Sequence, residues 1–210
     1  MRSCMLFAAV LVTVATNASA ATISFVTDPF EGSNALTTPG RQIVANELFT
    51  DFDIASDVFA FDPIVFGIGD ILFANDVVAN LPTSGVNTVV LRTFDNDADP
   101  TTPFGAGNAA NLIAAQITSS APGLFIYFNS GLNLPRLVYS TDLGDNTADL
   151  KILARFTNLG GQPGRDALAG VSAANFAINQ VPEPGSLLLI TTAGALSVVC
   201  RYARRKRTRA

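Results

Sequence analysis

The chain has 210 residues, 17 of them acidic and 13 basic, and it contains 2 cysteines and no histidine. Both cysteines lie near the ends, at Cys4 and Cys200, so disulfides, thiolate chemistry, His-ligated metals and His-based catalytic triads are excluded from residues 21–180. That segment carries 16 acidic residues against 6 basic ones, a formal charge of −10, which argues against nucleic acid as a partner.

The first 20 residues have the layout of a secretory signal peptide. Arg2 precedes a short apolar run, MLFAAVLVTV, and Ala18 and Ala20 give the small-x-small pattern that precedes a signal peptidase cleavage site. We expect residues 1–20 to be removed and the mature chain to start at Ala21. An uncleaved N-terminal anchor is the alternative, although the apolar run is short for a membrane span.

The segment 21–180 is predicted to be one exported domain that is mainly β. Short alternating or β-branched runs are separated by Gly, Asn, Asp and Pro at intervals of about 8 to 12 residues, which is typical of a β-sandwich or jelly roll. One short helix is predicted at 108–117 and one turn of another at 165–170. The predicted strands lie at 22–27, 86–94, 124–129, 137–141, 150–157 and 174–178. In the fifth strand a single apolar face is expected, made of Leu150, Ile152, Ala154 and Phe156.

Six phenylalanines between residues 48 and 80 are predicted to be core-facing strand residues. They are Phe49, Phe52, Phe59, Phe61, Phe66 and Phe73. Burial is the common fate of phenylalanine. A stacking platform for sugar rings is the alternative, but the chain has no tryptophan and only 3 tyrosines, the residues that such platforms mainly use.

The sequence DNDAD at 95–99 places three carboxylates at alternate positions. Calcium prefers several oxygens that converge from one tight turn. An EF-hand would need glycine at the sixth position and glutamate at the twelfth, where this chain has Pro100 and Ala106, so that motif is excluded. Asp95, Asp97 and Asp99 are therefore candidates only for a looser calcium site, and a solvated acidic loop is the preferred interpretation.

No pattern in the sequence points to a catalytic mechanism. Glycoside hydrolysis needs two carboxylates at a fixed separation, yet no pair stands out, including in a second acidic turn at 142–149 that is also interpreted as solvated. The glycines at 67–69 and 105–107 lack the lysine of a phosphate-binding loop. The protein is predicted not to be an enzyme and to need no cofactor other than, at most, calcium. A carboxylate-based hydrolase is the remaining catalytic alternative.

The tail, residues 181–210, combines a proline motif, an apolar stretch and a basic end. The motif VPEPG occupies 181–185, and a transmembrane helix is predicted over about 185–202, although its uncharged core of 14 residues is marginal for a permanent span. Basic residues over 201–209 place this end in the cytoplasm by the positive-inside rule. They are Arg201, Arg204, Arg205, Lys206, Arg207 and Arg209.

This order of features resembles the PEP-CTERM sorting signal of exported bacterial proteins. The resemblance implies that an exosortase, a membrane-embedded cysteine protease, recognises Pro182, Glu183 and Pro184 and removes the tail. It also implies an envelope or matrix setting with extracellular polysaccharide as a candidate partner. This C-terminal signature is also labelled an ice-binding protein C-terminal domain, but the chain lacks the regular threonine ladder of an ice-binding face. The run 131–158 is similar to a segment of other exported proteins with this tail.

Together these features predict an exported, non-enzymatic cell-surface or extracellular-matrix protein, processed by signal peptidase and exosortase. It would pass through the inner membrane before it reaches the cell envelope, the surface or a biofilm matrix. Its membrane contact would be transient if the tail is cleaved and lasting if the tail is retained. The alternative is a calcium- or polysaccharide-binding module that uses the loop at 95–99.

Overall fold

The computed structural model describes residues 20–99 and 101–179. Within them the chain forms ten strands and three helices, which confirms that the protein is mainly β. The strands are β1 (Thr22–Phe25), β2 (Ile43–Val44), β3 (Leu48–Thr50), β4 (Val58–Phe61), β5 (Phe73–Asp76), β6 (Thr88–Leu91), β7 (Gly123–Asn129), β8 (Leu134–Ser140), β9 (Leu150–Phe156) and β10 (Phe176–Ile178). The helices are α1 (Pro63–Phe66), α2 (Ala106–Gln116) and α3 (Gly161–Ala167).

Both helical predictions correspond to helical structure. The helix expected at 108–117 is α2, and the turn expected at 165–170 overlaps α3 and the 3₁₀ turn Leu168–Gly170. The signal peptide up to residue 19 and the tail with its expected transmembrane helix lie outside the described residues. Among residues 20–99 and 101–179, no helix is both long enough and apolar enough to cross a membrane.

Local chemistry explains why a helical turn, α1, follows β4. The side chain of Asp62 accepts hydrogen bonds from two backbone N–H groups of the next turn, at 2.8 and 3.2 Å, and Pro63 supplies a fixed φ at the start of the helix. Gly67 ends the turn with a φ of 65°, in the left-handed region that glycine adopts without strain. Phe66 is therefore buried from a helix and not, as expected, from a strand.

A small three-stranded sheet joins the start and the end of the described chain. Its order is β1-β4-β10, and both outer strands run parallel to β4. Phe25 of β1 and Ile178 of β10 both lie beside Phe61, at the same end of β4. Because parallel neighbours require long connections, most of the domain is inserted between the strands of this small sheet.

A large mixed sheet forms the second layer. Its order is β2-β9-β8-β7-β6-β5, and β3 also pairs with β9. The turn 130–133 joins β7 to β8 as antiparallel neighbours, whereas β5, β6 and β7 are parallel and have longer connections, the second of which contains α2. An immunoglobulin-type sandwich or a jelly roll is built from antiparallel strands, so the mixed pairing differs from those arrangements.

The small sheet packs against one face of the large sheet, and α2 covers part of the other face. The ring of Phe59 in β4 lies 5.5 Å from that of Phe156 in β9, and the ring of Phe73 in β5 lies 5.9 Å from that of Phe176 in β10. On the opposite face, α2 contributes to a second buried cluster. That cluster includes Ala109, Ile113, Phe125, Tyr127 and Val138.

The prediction of a single apolar face on β9 is wrong. The pairing of β8 with β9 skips Leu153, which is the extra residue of a β-bulge. Leu150 and Ile152, before the bulge, pack in the cluster under α2. Ala154 and Phe156, after it, pack between the two sheets. The bulge therefore lets one strand contribute apolar side chains to both halves of the core.

Six phenylalanines were predicted to be strand residues that face the core. Four do face the core, but two of these four, Phe52 and Phe66, lie outside any strand. Phe52, Phe59, Phe61 and Phe66 are at most 1% exposed. Phe73 is half-buried. Phe49 is 62% exposed, because β3 lies at the edge of the large sheet and pairs Phe49 with Arg155 on an outer face. The Phe49 ring there lies under the guanidinium group of Arg155, 4.6 Å from its central carbon.

Candidate functional site

A groove of about 290 Å³ opens where the loop after β1 meets the edge of the large sheet. Its apolar lining consists of Phe25, Pro29, Leu48, Phe66 and Leu153. Its polar lining consists of Thr27, Asp28, Glu31, Asn46 and Lys151. Apolar and polar residues contribute equally to this lining, and the groove is the candidate binding site of the domain because ligand sites are concave and combine both kinds of group.

Lys151 supplies the positive charge of the groove. Its Nζ donates a hydrogen bond to the carbonyl oxygen of Ala45 at 3.1 Å. Partial burial lowers the pKa of Lys151, and the negative charge of Glu47 acts in the opposite direction. The carboxylates of Asp28 and Glu31 also line the groove. Because opposite charges surround an apolar wall, the lining suits a neutral polar ligand better than a strongly charged one.

Tyr139 lies behind the groove and has a structural role. Its hydroxyl donates to the carbonyl oxygen of Phe66 at 3.1 Å, and the two rings meet edge to face with centroids 5.0 Å apart. Burial, and to a smaller extent the charge of Asp28, raises the pKa of Tyr139 to about 12. The hydroxyl therefore stays protonated at neutral pH and is already committed to a backbone partner.

A buried ion cluster lies on the other face of β8 and β9. The two carboxylate oxygens of Glu47 bind the guanidinium groups of Arg136 and Arg155, which are opposite each other in the β8–β9 pairing. The Glu47 side chain is 6% exposed. This cluster was not predicted from the sequence, although Arg136 within the apolar run LPRLVYS was an available signal. The cluster clamps the connection between β2 and β3 to the sheet.

Asp95, Asp97 and Asp99 lie in an exposed loop in which their carboxylates bind the loop itself. Each accepts a hydrogen bond from the backbone N–H two residues further on, at 2.9 to 3.0 Å. The N–H of Asp97 is the main cause of the lowered pKa of Asp95, and the hydroxyl of Thr101 is the main cause of the lowered pKa of Asp99. In the part of the chain that the structure describes, no three His, Cys, Asp or Glu side chains form a group that could hold a metal ion.

The second acidic turn, interpreted from sequence as solvated, has one buried member. Asp149 is 8% exposed and accepts hydrogen bonds from the backbone N–H groups of Leu36 and Gln42, both at 2.6 Å. The solvated interpretation is wrong for this residue. Asp145 is exposed, and a backbone N–H of the same turn lowers its pKa. The turn therefore anchors the loop 36–42 to the large sheet.

The structure describes only one of the predicted processing residues. Ala20 is exposed and lies two residues before β1, outside any strand or helix. The others lie outside the described residues. They are Ala18, the sorting residues Pro182, Glu183 and Pro184, and the topology residues Arg201, Arg204, Arg205, Lys206 and Arg207.

No family model matches this chain, and no curated protein or solved structure is similar enough to count as a match. The residues and their geometry therefore carry the functional conclusion. Glu47 is bound by arginines, and Asp149 is bound by backbone N–H groups. These are the contacts of structural carboxylates, and neither residue belongs to the lining of the groove, to which Asp28 and Glu31 contribute the carboxylates.

Proposed function

We propose that the protein is an exported, non-enzymatic component of the cell surface or extracellular matrix. A signal peptidase removes residues 1–20, and the tail holds the exported domain at the inner membrane. An exosortase then cuts at the motif formed by Pro182, Glu183 and Pro184. The freed domain resides in the cell envelope, on the surface or in a biofilm matrix.

The observation that carries this proposal is the agreement between the folded domain and the two predicted cutting sites. β1 begins at Thr22, one residue after the expected mature start, and β10 ends at Ile178, three residues before the motif begins at Val181. A removable leader and a removable tail must flank a domain that folds without either of them. Strand boundaries that lie between the two predicted cutting sites support the proposal.

The architecture and the core of the domain support a structural role outside the cell. We describe it as a sandwich of two sheets with α2 on the outer face of the larger one. Its centre is aromatic: the ring of Phe59 lies 4.7 Å from Phe52 and 5.5 Å from Phe156. Such a core needs no disulfide, in keeping with a cysteine-free segment from 21 to 180.

Mass spectrometry of the termini in envelope and medium fractions tests the proposal. We expect the mature protein to start at Ala21 and to end within or next to the motif. Glu183→Gln should leave a chain that ends at Ala210, whereas the matched exposed change Glu31→Gln should leave processing intact. Recovery of unmodified chains ending at Ala210 from wild-type cells with an active exosortase would refute cleavage of the tail.

The alternative is a calcium-dependent or polysaccharide-binding module that uses the loop at 95–99. Three carboxylates at alternate positions of one exposed loop favour it, since calcium prefers several oxygen ligands from one turn. Calorimetry with calcium alone tests the metal version, with Asp97→Asn as the loop variant and Asp70→Asn as the exposed control. Heat of binding that Asp97→Asn abolishes would support the module, and no heat at millimolar calcium would eliminate its metal version.

The remaining catalytic alternative is a carboxylate-based hydrolase. It would act on extracellular polysaccharide, the candidate partner that the tail implies. Incubation of the mature protein with a panel of exopolysaccharides, followed by a reducing-sugar assay, tests it. Release of new reducing ends that depends on one carboxylate would replace the non-enzymatic proposal, and the absence of turnover across the panel would leave it in place.

A further inference from the structure

Ala21 is fixed at both its nitrogen and its oxygen. Its backbone N donates to Oδ1 of Asp57 at 2.8 Å, and its carbonyl oxygen accepts from the N–H of Val58 at 2.9 Å. Asp57 is 7% exposed, and its second oxygen accepts from the N–H of Asp53 at 2.9 Å. A buried carboxylate is therefore aimed at the nitrogen of the residue at which the mature chain is expected to begin.

We propose that Asp57 is the binding site for the α-ammonium group that forms when the leader is removed, so that cleavage tightens the mature domain. This inference rests on the proposed export. Hydrolysis breaks the C–N bond between Ala20 and Ala21, and water supplies the hydroxyl of the new carboxyl group. The remaining hydrogen of that water goes to the nitrogen of Ala21, and near neutral pH the new carboxylic acid then loses a proton and the new amine gains one, which gives a carboxylate and an ammonium group. A neutral N–H donor to Asp57 becomes a charged one.

Cleavage strengthens the contact between Ala21 and Asp57, because before cleavage the negative charge of Asp57 is met only by neutral hydrogen-bond donors. Among the described residues, Asp57 forms no ion pair with a lysine or arginine. A hydrogen bond from a neutral N–H to a carboxylate is already charge-assisted, and an ammonium donor adds the attraction between two opposite charges. A carboxylate taken out of water gains most from a partner of opposite charge. Ala21 itself is exposed, so the ammonium group keeps water on its other hydrogens.

Because of its position, this contact is expected to hold the start of β1 in the small sheet. Ala21 precedes β1, a four-residue strand at the edge of the small sheet, in which Thr22 and Ser24 are exposed. Phe25 secures the far end of β1 by stacking on Phe61 with ring centroids 5.3 Å apart. The pair with Asp57 would secure the near end. Chain termini fray unless they are tied down in this way.

The pH dependence follows from the groups around the pair. β1, β4, β10 and the 3₁₀ turn Ala173–Asn175 contain no titratable side chain, and the adjoining turn contributes the carboxylates of Asp51 and Asp53. A free α-amino group has a pKa of about 7.7 to 8.0, and pairing with Asp57 raises it. The added stability is therefore fully present below about pH 7.5 and is lost as pH rises through the higher folded value.

The test compares two versions of residues 21–210 released from a cleavable fusion, in the same detergent. One begins with a free Ala21, and the other carries an added Gly-Ser that keeps a neutral peptide N–H at the site. At pH 6.5 we expect the free form to melt about 3 to 5 °C higher, equivalent to roughly tenfold in the unfolding constant. The difference should vanish by about pH 10. NMR titration should place the α-amino pKa about one unit above its ordinary value.

Asp57→Asn should remove the difference between the two forms, and Asp53→Asn, in the same turn but without a contact to Ala21, should preserve it. Identical melting curves for the two forms at every pH, or an α-amino pKa of about 8 in the wild-type protein, would overturn the proposal. The NMR result needs no variant, so it decides the matter if Asp57→Asn fails to fold. Export is tested separately by the termini found in cells, because here the first residue is set in advance.

Discussion

Glu47→Gln is the substitution that most directly tests the buried ion cluster. Removing the negative charge leaves the guanidinium groups of Arg136 and Arg155 facing each other across β8 and β9. Glutamine can offer one oxygen, but its amide hydrogens would repel the second arginine. The variant is nearly isosteric, so the expected loss reports on charge and not on packing.

The exposed fractions of the three side chains set the size of the effect. Removing one partner of a fully buried ion pair costs about 3 to 5 kcal/mol. The Glu47 side chain is 6% exposed, and those of Arg136 and Arg155 are 14% and 21% exposed. The lower end of that range, about 3 kcal/mol, is therefore expected. Since 1 kcal/mol shifts the Tm of a domain of this size by about 2 to 4 °C, Glu47→Gln should lower it by about 6 to 12 °C.

Thermal unfolding followed by circular dichroism measures this loss, and Asp76→Asn is the matched control. Asp76 pairs with Arg92 at 3.0 Å, but both side chains are 35% exposed, so little or no change in Tm is expected. Replacing all three members of the cluster by apolar residues should recover much of the loss, because no charge is then left unpaired. Equal Tm values for the Glu47 and Asp76 variants would refute the reasoning.

Three further predictions concern the core and the pH range. Phe59→Ala should lower the free energy of unfolding, measured with urea, by about 3 to 5 kcal/mol, whereas Phe49→Ala should lower it by less than about 1 kcal/mol. Similar losses for the two variants would contradict the burial of Phe59 and the exposure of Phe49. Gly164→Ala should destabilise the protein, because the added Cβ would collide with the backbone oxygen of Leu159, whereas in Gly160→Ala the Cβ would make an ordinary contact of 3.6 Å with Leu134; equal Tm values for the two variants would count against this. Because the pKa of Tyr139 is raised to about 12, stability should fall between pH 10 and 12, and Tyr139→Phe should remove that loss from the Tm–pH profile.

Local patterns predicted the position of many elements but not their neighbours. The predicted strands at 124–129 and 150–157 agree with β7 and β9 to within a residue, because alternation and turn residues act over a few positions. The parallel pairs join strands that are separated by about ten to more than a hundred residues, for which the sequence has no short-range signal. The parallel pairs and the bulge at Leu153 were therefore not predictable from periodicity.

The candidate functional residues were likewise predictable only where the signal is local. The exposed loop at 95–99 was recognisable as acidic from its sequence, and its exposure agrees with the preferred interpretation. The roles of Asp57, Asp149 and Glu47 were not recognisable, because each carboxylate binds groups that are distant in the chain or that belong to the backbone. In a chain with many acidic residues, the sequence does not distinguish a structural carboxylate from a solvated one until the partners of each are known.

The parallel small sheet also dictates an order of folding. β4 takes one neighbour from the start of the domain and the other from its end, so the sheet cannot be complete until Ile178 is available. If the chain is exported N-terminus first, as proposed, the large sheet could form before the last residues have crossed the membrane. Long-range pairing is slow, and β10 would dock while the tail still held the chain at the membrane. The domain would then be completed just before it is released, because β10 and the cutting site are only a few residues apart in the chain.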